Sequence, residues 1–320
     1  MTIVLYLLTS VCLFFLMPVY FWLANRFQIF DEPNERSSHK TVTIRGGGIV
    51  FPMAIILWFC LFGLQLPYLT VGVVIIAVIS FLDDIFDLNP TTRLVVHLIA
   101  VSLVLLQLDF FIFNWFWLIP AFIVFIGWLN AFNFMDGING ITAFYSFSVL
   151  VPIWYLNYQG IALFPDSLLY VLGISILVFA FFNARKKAKT FAGDVGSVSM
   201  ALVLGYLVFS LILKTEKWEY ILFVSVYGVD TVLTIIYRLF RKENIFKPHR
   251  SHFYQVLAND KGLSHISIST GYGVVQILIS FFSILIINHE YSGHWSIMVL
   301  LLLTVTYVFG KPIRLMLSKE

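Results

Sequence analysis

The stretch GSVSMALVLGYLVFSLIL, residues 196–213, runs for eighteen residues without a charge. At a rise of about 1.5 Å per residue, a helix of that length crosses most of the ~30 Å hydrocarbon layer of a bilayer. A strand of a membrane barrel alternates apolar and polar residues, and this run does not, so it reads as a helix. Working outward, similar runs recur along the whole chain, and eleven are read, at 3–24, 47–65, 68–82, 94–108, 115–132, 141–158, 166–182, 196–213, 219–237, 268–287 and 295–310. With 60% of 320 residues hydrophobic and only 12% charged, too little polar surface exists to cover a soluble globule. Backbone groups in lipid must be satisfied within each segment, so the expected class is an all-α polytopic membrane protein of about eleven transmembrane helices. No linker or repeat divides the chain, and residues 1–320 read as a single integral-membrane domain. The N-terminal run lacks a basic flank and a small-residue cleavage site, and reads as a retained first helix. Cys12 and Cys60 fall inside expected spans, which leaves neither a disulfide framework nor a cysteine metal site.

Eleven spans divide the basic residues unevenly. Eighteen of the twenty Lys and Arg fall on one side, at 26–45, 93, 185–189, 238–261 and 311–319, and only Lys214 and Lys217 on the other. By the positive-inside rule the crowded side is cytoplasmic, with the N-terminus outside and the C-terminus cytoplasmic. An even number of spans would scramble this partition, so the asymmetry supports the count.

The inner connections carry nearly all the unusual polar chemistry. FLDDIFD, residues 81–87, sets Asp83, Asp84 and Asp87 together at the end of the third run, where they repel one another unless a cation or a proton intervenes. Arg93 is the only basic residue nearby in sequence. NAFNFMDGING, residues 130–140, spaces Asn130, Asn133 and Asp136 by three, which on a helix puts two carboxamides and a carboxylate on one face towards the loop. Such a face suits a base, a ribose or a phosphate. FAGDVGS, residues 191–197, sets Asp194 between glycines at the start of the eighth run. There the backbone can approach an anion and the carboxylate can hold magnesium, which takes one or two carboxylates together with substrate phosphates and water.

Two further loops are basic. KPHRSHFYQ, residues 247–255, brings His249, Arg250 and His252 into a patch suited to phosphate oxygens and a charged leaving group. DEPNERSSHKTVTIRGGG, residues 31–48, offers Arg36, His39, Lys40 and Arg45 to phosphates. Each of the five stretches has an ordinary alternative as a cap, a turn or a topogenic loop. The functional reading gains from their coincidence on one expected face of the membrane. Carboxylates for a divalent cation beside cationic side chains are what phosphoryl transfer requires. No Walker loop, dinucleotide fingerprint or nucleophile elbow competes.

In this order, FLDDIFD, NAFNFMDGINGI, FAGDVGS and PHRSHFYQ resemble the polyprenyl-phosphate N-acetylhexosamine-1-phosphate transferases, glycosyltransferase family 4, over nearly the whole chain. The resemblance implies a phosphoglycosyltransferase in which undecaprenyl phosphate attacks the β-phosphorus of a UDP-sugar, giving a polyprenyl-diphospho-sugar and UMP. It implies Mg2+, with Mn2+ as a substitute, held by Asp194. Asp83, Asp84, Asp136, His249 and His252 carry over as catalytic residues. Asn130, Asn133, Asn139, Phe191, Arg36, His39 and Arg250 carry over to the substrate, with Phe191 against the uracil. The implied partners are a UDP-N-acetylhexosamine, undecaprenyl phosphate and the lipid bilayer; a homodimer is compatible, and nucleic acid is not expected. The implied location is the bacterial cytoplasmic (inner) membrane, with the active site on its cytoplasmic face.

Two departures narrow the expectation. Many family members have R-K-x-H in the first loop, where this chain has Arg36, Ser37, Ser38 and His39. The peptidoglycan branch has adjacent histidines followed by Phe and Glu in the last loop, where this chain has HRSH. The resemblance therefore points away from MurNAc-pentapeptide and towards the O-antigen-initiating branch, which handles N-acetylhexosamines including GlcNAc, FucNAc and QuiNAc. The rival class is a transporter or flippase for a lipid-linked or anionic substrate. Transporters concentrate ionisable residues near the midplane, whereas here, apart from Asp166 and Glu219 at the first positions of their runs, only His97 and Asp230 fall within expected spans. A CDP-alcohol phosphotransferase needs a D-G-x-x-A-R arrangement, and DGINGIT lacks the arginine.

Overall fold

The computed structural model describes residues 2–33, 41–86, 88–244 and 249–311. Arg36, His39, Lys40, Asp87 and Lys247 lie outside the described residues. The helices in chain order are α1 (Thr2–Phe27), α2 (Val50–Leu61), α3 (Pro67–Phe86), α4 (Pro90–Gln107), α5 (Leu118–Phe134), α6 (Ile141–Leu156), α7 (Asp166–Asn183), α8 (Gly193–Thr215), α9 (Ser225–Phe240), the short α10 (Phe253–Gln255), α11 (His265–Ile286) and α12 (Ser292–Gly310). Apart from α10, these stand one for one at the eleven apolar runs of the sequence. Among the described residues nine helical segments are long and apolar enough to cross a membrane; the segment Gly47–Leu61 and helix α6 are shorter. The chain is an all-α polytopic membrane protein.

Helix α8 is the axis of the bundle, with 89% of its apolar window buried, against 22% for α1 and 17% for α12. It packs on α3, α5, α2 and α6, and its small residues permit close contact. A Cβ on Gly48, just before α2, would collide with the backbone of Gly196 in α8, so this pair of glycines brings two chain segments into near-backbone contact. Across the bundle the Trp128 indole of α5 donates to the Ala201 carbonyl of α8 at 2.8 Å. The peripheral helices instead expose large apolar side chains such as Phe15, Trp22 and Leu301, as a lipid-facing surface requires.

Polar residues inside the bundle repair breaks in the helices. The span Trp218–Phe240 begins as a 3-10 segment, Trp218–Val224, before α9. That change of helix type frees backbone groups that lipid cannot satisfy. Gln276 of α11 closes them, accepting from Val226 N at 3.0 Å and donating to the Leu222 carbonyl at 2.8 Å.

The connections read as inner meet at one end of the bundle. Strands β1 (Phe30–Asp31) and β2 (Thr43–Ile44) pair antiparallel, and Ile44 also bridges Thr190 in the loop before α8. This small ribbon, which hydropathy does not reveal, ties the first loop to the FAGDVGS loop. Asn89 starts α4 by accepting from Thr91 N at 2.9 Å, with Pro90 in the first helical position. It thereby fixes the short turn that sets Arg93 beside the end of α3.

Candidate active site

Helix α3 extends past its apolar run to Phe86 and takes Asp83 and Asp84 into its last turns. Their oxygens have different partners. Asp83 accepts from Leu88 N and from Arg93 Nη1, both at 2.7 Å. Asp84, whose side chain is fully buried, accepts from Asp194 N at 3.0 Å and Val195 N at 3.2 Å, and pairs with Arg45 Nε at 2.7 Å. Helix α8 has no side-chain cap of its own, so Asp84 of α3 satisfies its first amides. Gly193 sits at φ +68°, and a side chain there would run into the Asp84 carboxylate and the Gly46 backbone. The glycine of FAGDVGS is thus required for α8 to dock on α3.

Asp194 is the most open of the three carboxylates. Its side chain is 17% exposed and lies 3.3 Å from Arg45 Nη2 and 3.9 Å from Arg93 Nη1, so two guanidinium groups face three carboxylates. Arg45 is held from behind by its carbonyl, which accepts the Tyr20 hydroxyl at 2.5 Å. Burial disfavours the Arg45 charge, but Asp84 and Asp194 outweigh it and hold the guanidinium above its ordinary range. The sequence singles out only Arg93 as a neighbour for the FLDDIFD acids; Arg45, far away in the chain, is the second.

The NAFNFMDGING stretch departs from its expected geometry. Helix α5 ends at Phe134, so Asp136 lies beyond it and Asn130, Asn133 and Asp136 do not form one helical face. Asn130 instead donates to the Ile126 carbonyl of its own helix at 2.8 Å. The competing influence is the ordinary preference of an Asn amide for the carbonyl one turn back. Asn133 accepts the Ser197 hydroxyl of α8 at 2.7 Å, and Asp136 accepts the Thr142 hydroxyl at the start of α6. Burial pushes the Asp136 carboxyl up to about 8; the Thr142 hydrogen bond opposes this, and the nearby Asp194 and Asp84 charges add to it. Its carboxyl is therefore more readily protonated than that of an ordinary aspartate. Asn139 donates to the Arg185 carbonyl at 2.7 Å, tying this turn to the basic loop before α8. Phe191 is half buried in that loop, its N–H on the Ile44 carbonyl at 2.8 Å.

The histidine loop docks on the same turn. Tyr254 donates to the Phe134 carbonyl at 2.9 Å, and its hydroxyl occupies the space a Cβ on Gly137 would need. The rings of His249 and His252 lie 4.9 Å apart, each 6.3 Å from the Phe134 ring. His249 is held by the Ser251 hydroxyl at 2.9 Å. Burial, and then the neighbouring His252, Arg238 and Lys311, push the His249 imidazole down to about 3, so it is neutral at working pH. His252 is buried, with Nδ1 3.4 Å from Asp230 Oδ1. Arg250 is exposed at the loop surface. Asp230 is the residue that motif reading passes over; its one signal is a carboxylate inside an apolar span.

The donor set fits a magnesium ion. Hard carboxylate oxygens of Asp83, Asp84 and Asp194 converge with one formal negative charge in excess over Arg45 and Arg93. Among the described residues no three acidic, histidine or cysteine side chains form a ready-made cage.

The model of the family described as Glycosyl transferase family 4 matches residues 66–212, which contain Asp83, Asp84, Asn133, Asp136, Phe191 and Asp194. The chain is 28% identical over 283 residues to the Bacillus subtilis "Probable undecaprenyl-phosphate N-acetylglucosaminyl 1-phosphate transferase", covering 82% of this chain and 78% of that one. It is 27% identical over 294 residues to the Thermotoga maritima "Phospho-N-acetylmuramoyl-pentapeptide-transferase", covering 83% and 94%. Against the Escherichia coli (strain K12) "Undecaprenyl-phosphate alpha-N-acetylglucosaminyl 1-phosphate transferase" it is 23% identical over 340 residues, covering 97% and 89%. With the carboxylate cluster inside the matched region and relatives of similar extent on both sides of it, the chain is similar to glycosyl transferase family 4 and is a membrane-embedded phosphosugar transferase.

Proposed function

We propose that the chain transfers an N-acetylhexosamine 1-phosphate from a UDP-sugar to undecaprenyl phosphate on the cytoplasmic face of the bacterial inner membrane, initiating O-antigen or another envelope polysaccharide. The observation that carries this reading is the cluster of Asp83, Asp84 and Asp194 bridged by Arg45 and Arg93. In the reaction an oxygen of the acceptor phosphate bonds to the β-phosphorus of the donor, the bond to the bridging oxygen breaks, and UMP departs with the electron pair.

Such a transfer needs little covalent help and much charge neutralisation. Magnesium, when bound by Asp194 with Asp83 or Asp84 beside it, supplies that neutralisation at the diphosphate. Arg45 and Arg93 hold the carboxylates apart and give phosphate oxygens a second set of positive partners. Asp136, its carboxyl raised by burial, faces the substrate, while Phe191 lines the uracil side and His249, His252 and Arg250 the diphosphate side. Asn133, on Ser197, steadies the junction of α5 and α8. An apolar cleft of about 630 Å³ between α5, α8, α9 and α12 reaches Ala131, close to Asn133, and accommodates isoprenoid units of the acceptor. The departure from adjacent histidines at HRSH supports a UDP-N-acetylhexosamine over a MurNAc-pentapeptide donor.

The test incubates membranes containing the protein with undecaprenyl phosphate and a panel of UDP-N-acetyl sugars, and follows UMP release. One sugar of the GlcNAc, QuiNAc or FucNAc type should release UMP, EDTA should stop it, and magnesium or manganese should restore it. Turnover that persists in EDTA would remove the carboxylate–metal scheme.

A further inference from the structure

We infer that Asp230 is the positioning residue of the histidine loop, fixing the orientation and tautomer of His252 so that Nε2 is the atom presented to substrate. This deepens the phosphosugar-transfer reading and rests on it. Asp230 lies within the span Trp218–Phe240 and is 3% exposed, a place where a carboxylate is retained only with partners. Four groups converge on it. Oδ1 accepts Phe253 N at 2.9 Å and faces Thr234 Oγ1 at 3.3 Å and His252 Nδ1 at 3.4 Å, while Oδ2 accepts the Tyr272 hydroxyl at 2.7 Å. The carboxylate thus grips the loop twice, through the Phe253 backbone and through the His252 ring, and α9 and α11 hold the carboxylate in turn.

An ionised carboxylate only accepts, so the ring nitrogen that faces it carries the hydrogen. In the neutral ring Nε2 is then the bare nitrogen, on the opposite side of the ring from Asp230. It is buried and has no partner among the described residues, an uncommon state for a native polar atom. The ring is also held by its flanks: Tyr254 stacks on it at 5.9 Å and 20°, and His249 lies 4.9 Å away. Tyr254 is itself fastened to the Phe134 carbonyl, two residues before Asp136, so the orphan nitrogen is set at the loop that adjoins the carboxylate site. Asp230 has its contacts on Phe253, Thr234, His252 and Tyr272 and acts through His252.

The experiment labels the histidine ring nitrogens with 15N in the full chain in nanodiscs and assigns the His252 signals with His252→Gln. In the unaltered protein His252 should carry its hydrogen on Nδ1 and not on Nε2. Asp230→Asn should lose that preference and lower kcat for UMP release by roughly 10- to 100-fold, as removal of outer partners of functional histidines does, with KM for the UDP-sugar within about twofold. Asp230→Glu should recover part of the rate. A hydrogen on Nε2 in the unaltered protein overturns the inference, as does wild-type turnover in Asp230→Asn with the tautomer unchanged. If Asp230→Asn fails to fold, the ring signature of the unaltered protein decides alone. If no UDP-sugar yields UMP, the reaction reading falls, whereas the ring signature still tests the positioning.

Discussion

At the junction of α3 and α8, three carboxylates and two guanidinium groups hold one another through ion pairs of 2.7 to 3.9 Å. The histidine loop, at the same end of the bundle, hangs instead from the single buried carboxylate Asp230 and from the Tyr254 hydroxyl. The first region tolerates charge because opposite charges arrive with it, leaving an excess that a divalent cation and phosphates can balance. The second keeps one imidazole neutral by burial, so its contribution is orientation more than charge. Substitutions in the first should therefore change how much charge is held. Those in the second should change where a ring points.

The largest effect is expected at Asp194. Asp83 and Asp84 each accept backbone amides as well as arginine, so they also serve the fold; the Asp194 side chain meets the side chains of Arg45, Arg93 and Asp83. Asp194→Asn should lower sugar-phosphate transfer by about 10³-fold or more while the protein inserts and melts close to wild type. Asp84→Asn should lower both transfer and melting temperature, because it weakens the acceptor at the start of α8. Equal melting of the two variants would erase the proposed division between fold and chemistry.

Arg45 comes next. Replacing it with Gln leaves Asp84, fully buried at its side chain, without the guanidinium 2.7 Å away. Removing one partner of a buried pair commonly costs about 3–5 kcal/mol, and because Arg45 is itself a third exposed the lower value of about 2 kcal/mol is expected. Thermal melting in detergent measures it, and magnesium should raise the melting temperature of Arg45→Gln while leaving that of Asp194→Asn unchanged. Failure of magnesium to distinguish them would sink the idea that Arg45 and the cation share one charge balance.

Much of the architecture was legible because lipid leaves little choice: an uncharged run such as 196–213 has to be a helix, and it is α8. The site was legible as a set of motifs but not as a geometry. Asp83, Asp84 and Asp194 announce themselves as acids beside apolar runs, whereas the capping of α8 by Asp84 and the pairing of Asp194 with Arg45 depend on contacts across 110 and 149 residues. Asn130 misleads because an amide near the end of a helix satisfies its own backbone as readily as a ligand. Gln276 and Asp230 sit in apolar runs where periodicity treats them as blemishes. Each answers a backbone or ring group on another helix, which only the packed structure brings near.

The smallest effect concerns Lys311, which closes the histidine loop from the end of α12. Its Nζ donates to the Ser251 carbonyl at 2.6 Å and to the Tyr307 hydroxyl, and lies 4.9 Å from the Tyr237 ring centroid. Burial pulls its pKa from 10.5 down to about 8, with Asp230 opposing. Below about pH 8 both folded and unfolded chains carry the proton, and the cost of burying the charge is present in full. Between about 8 and 10.5 the unfolded chain holds a proton that the folded chain has released, so this residue makes stability rise with pH. The melting temperature of the wild type should therefore gain on that of Lys311→Met between pH 7.5 and 9.5, by the equivalent of about 1–2 kcal/mol. Over the same range the charge-assisted hydrogen bond to Ser251 weakens, so transfer should fall in the wild type and stay flat in the variant. A melting difference that does not move with pH would show that Lys311 titrates like an ordinary surface lysine and does not hold the loop by its charge.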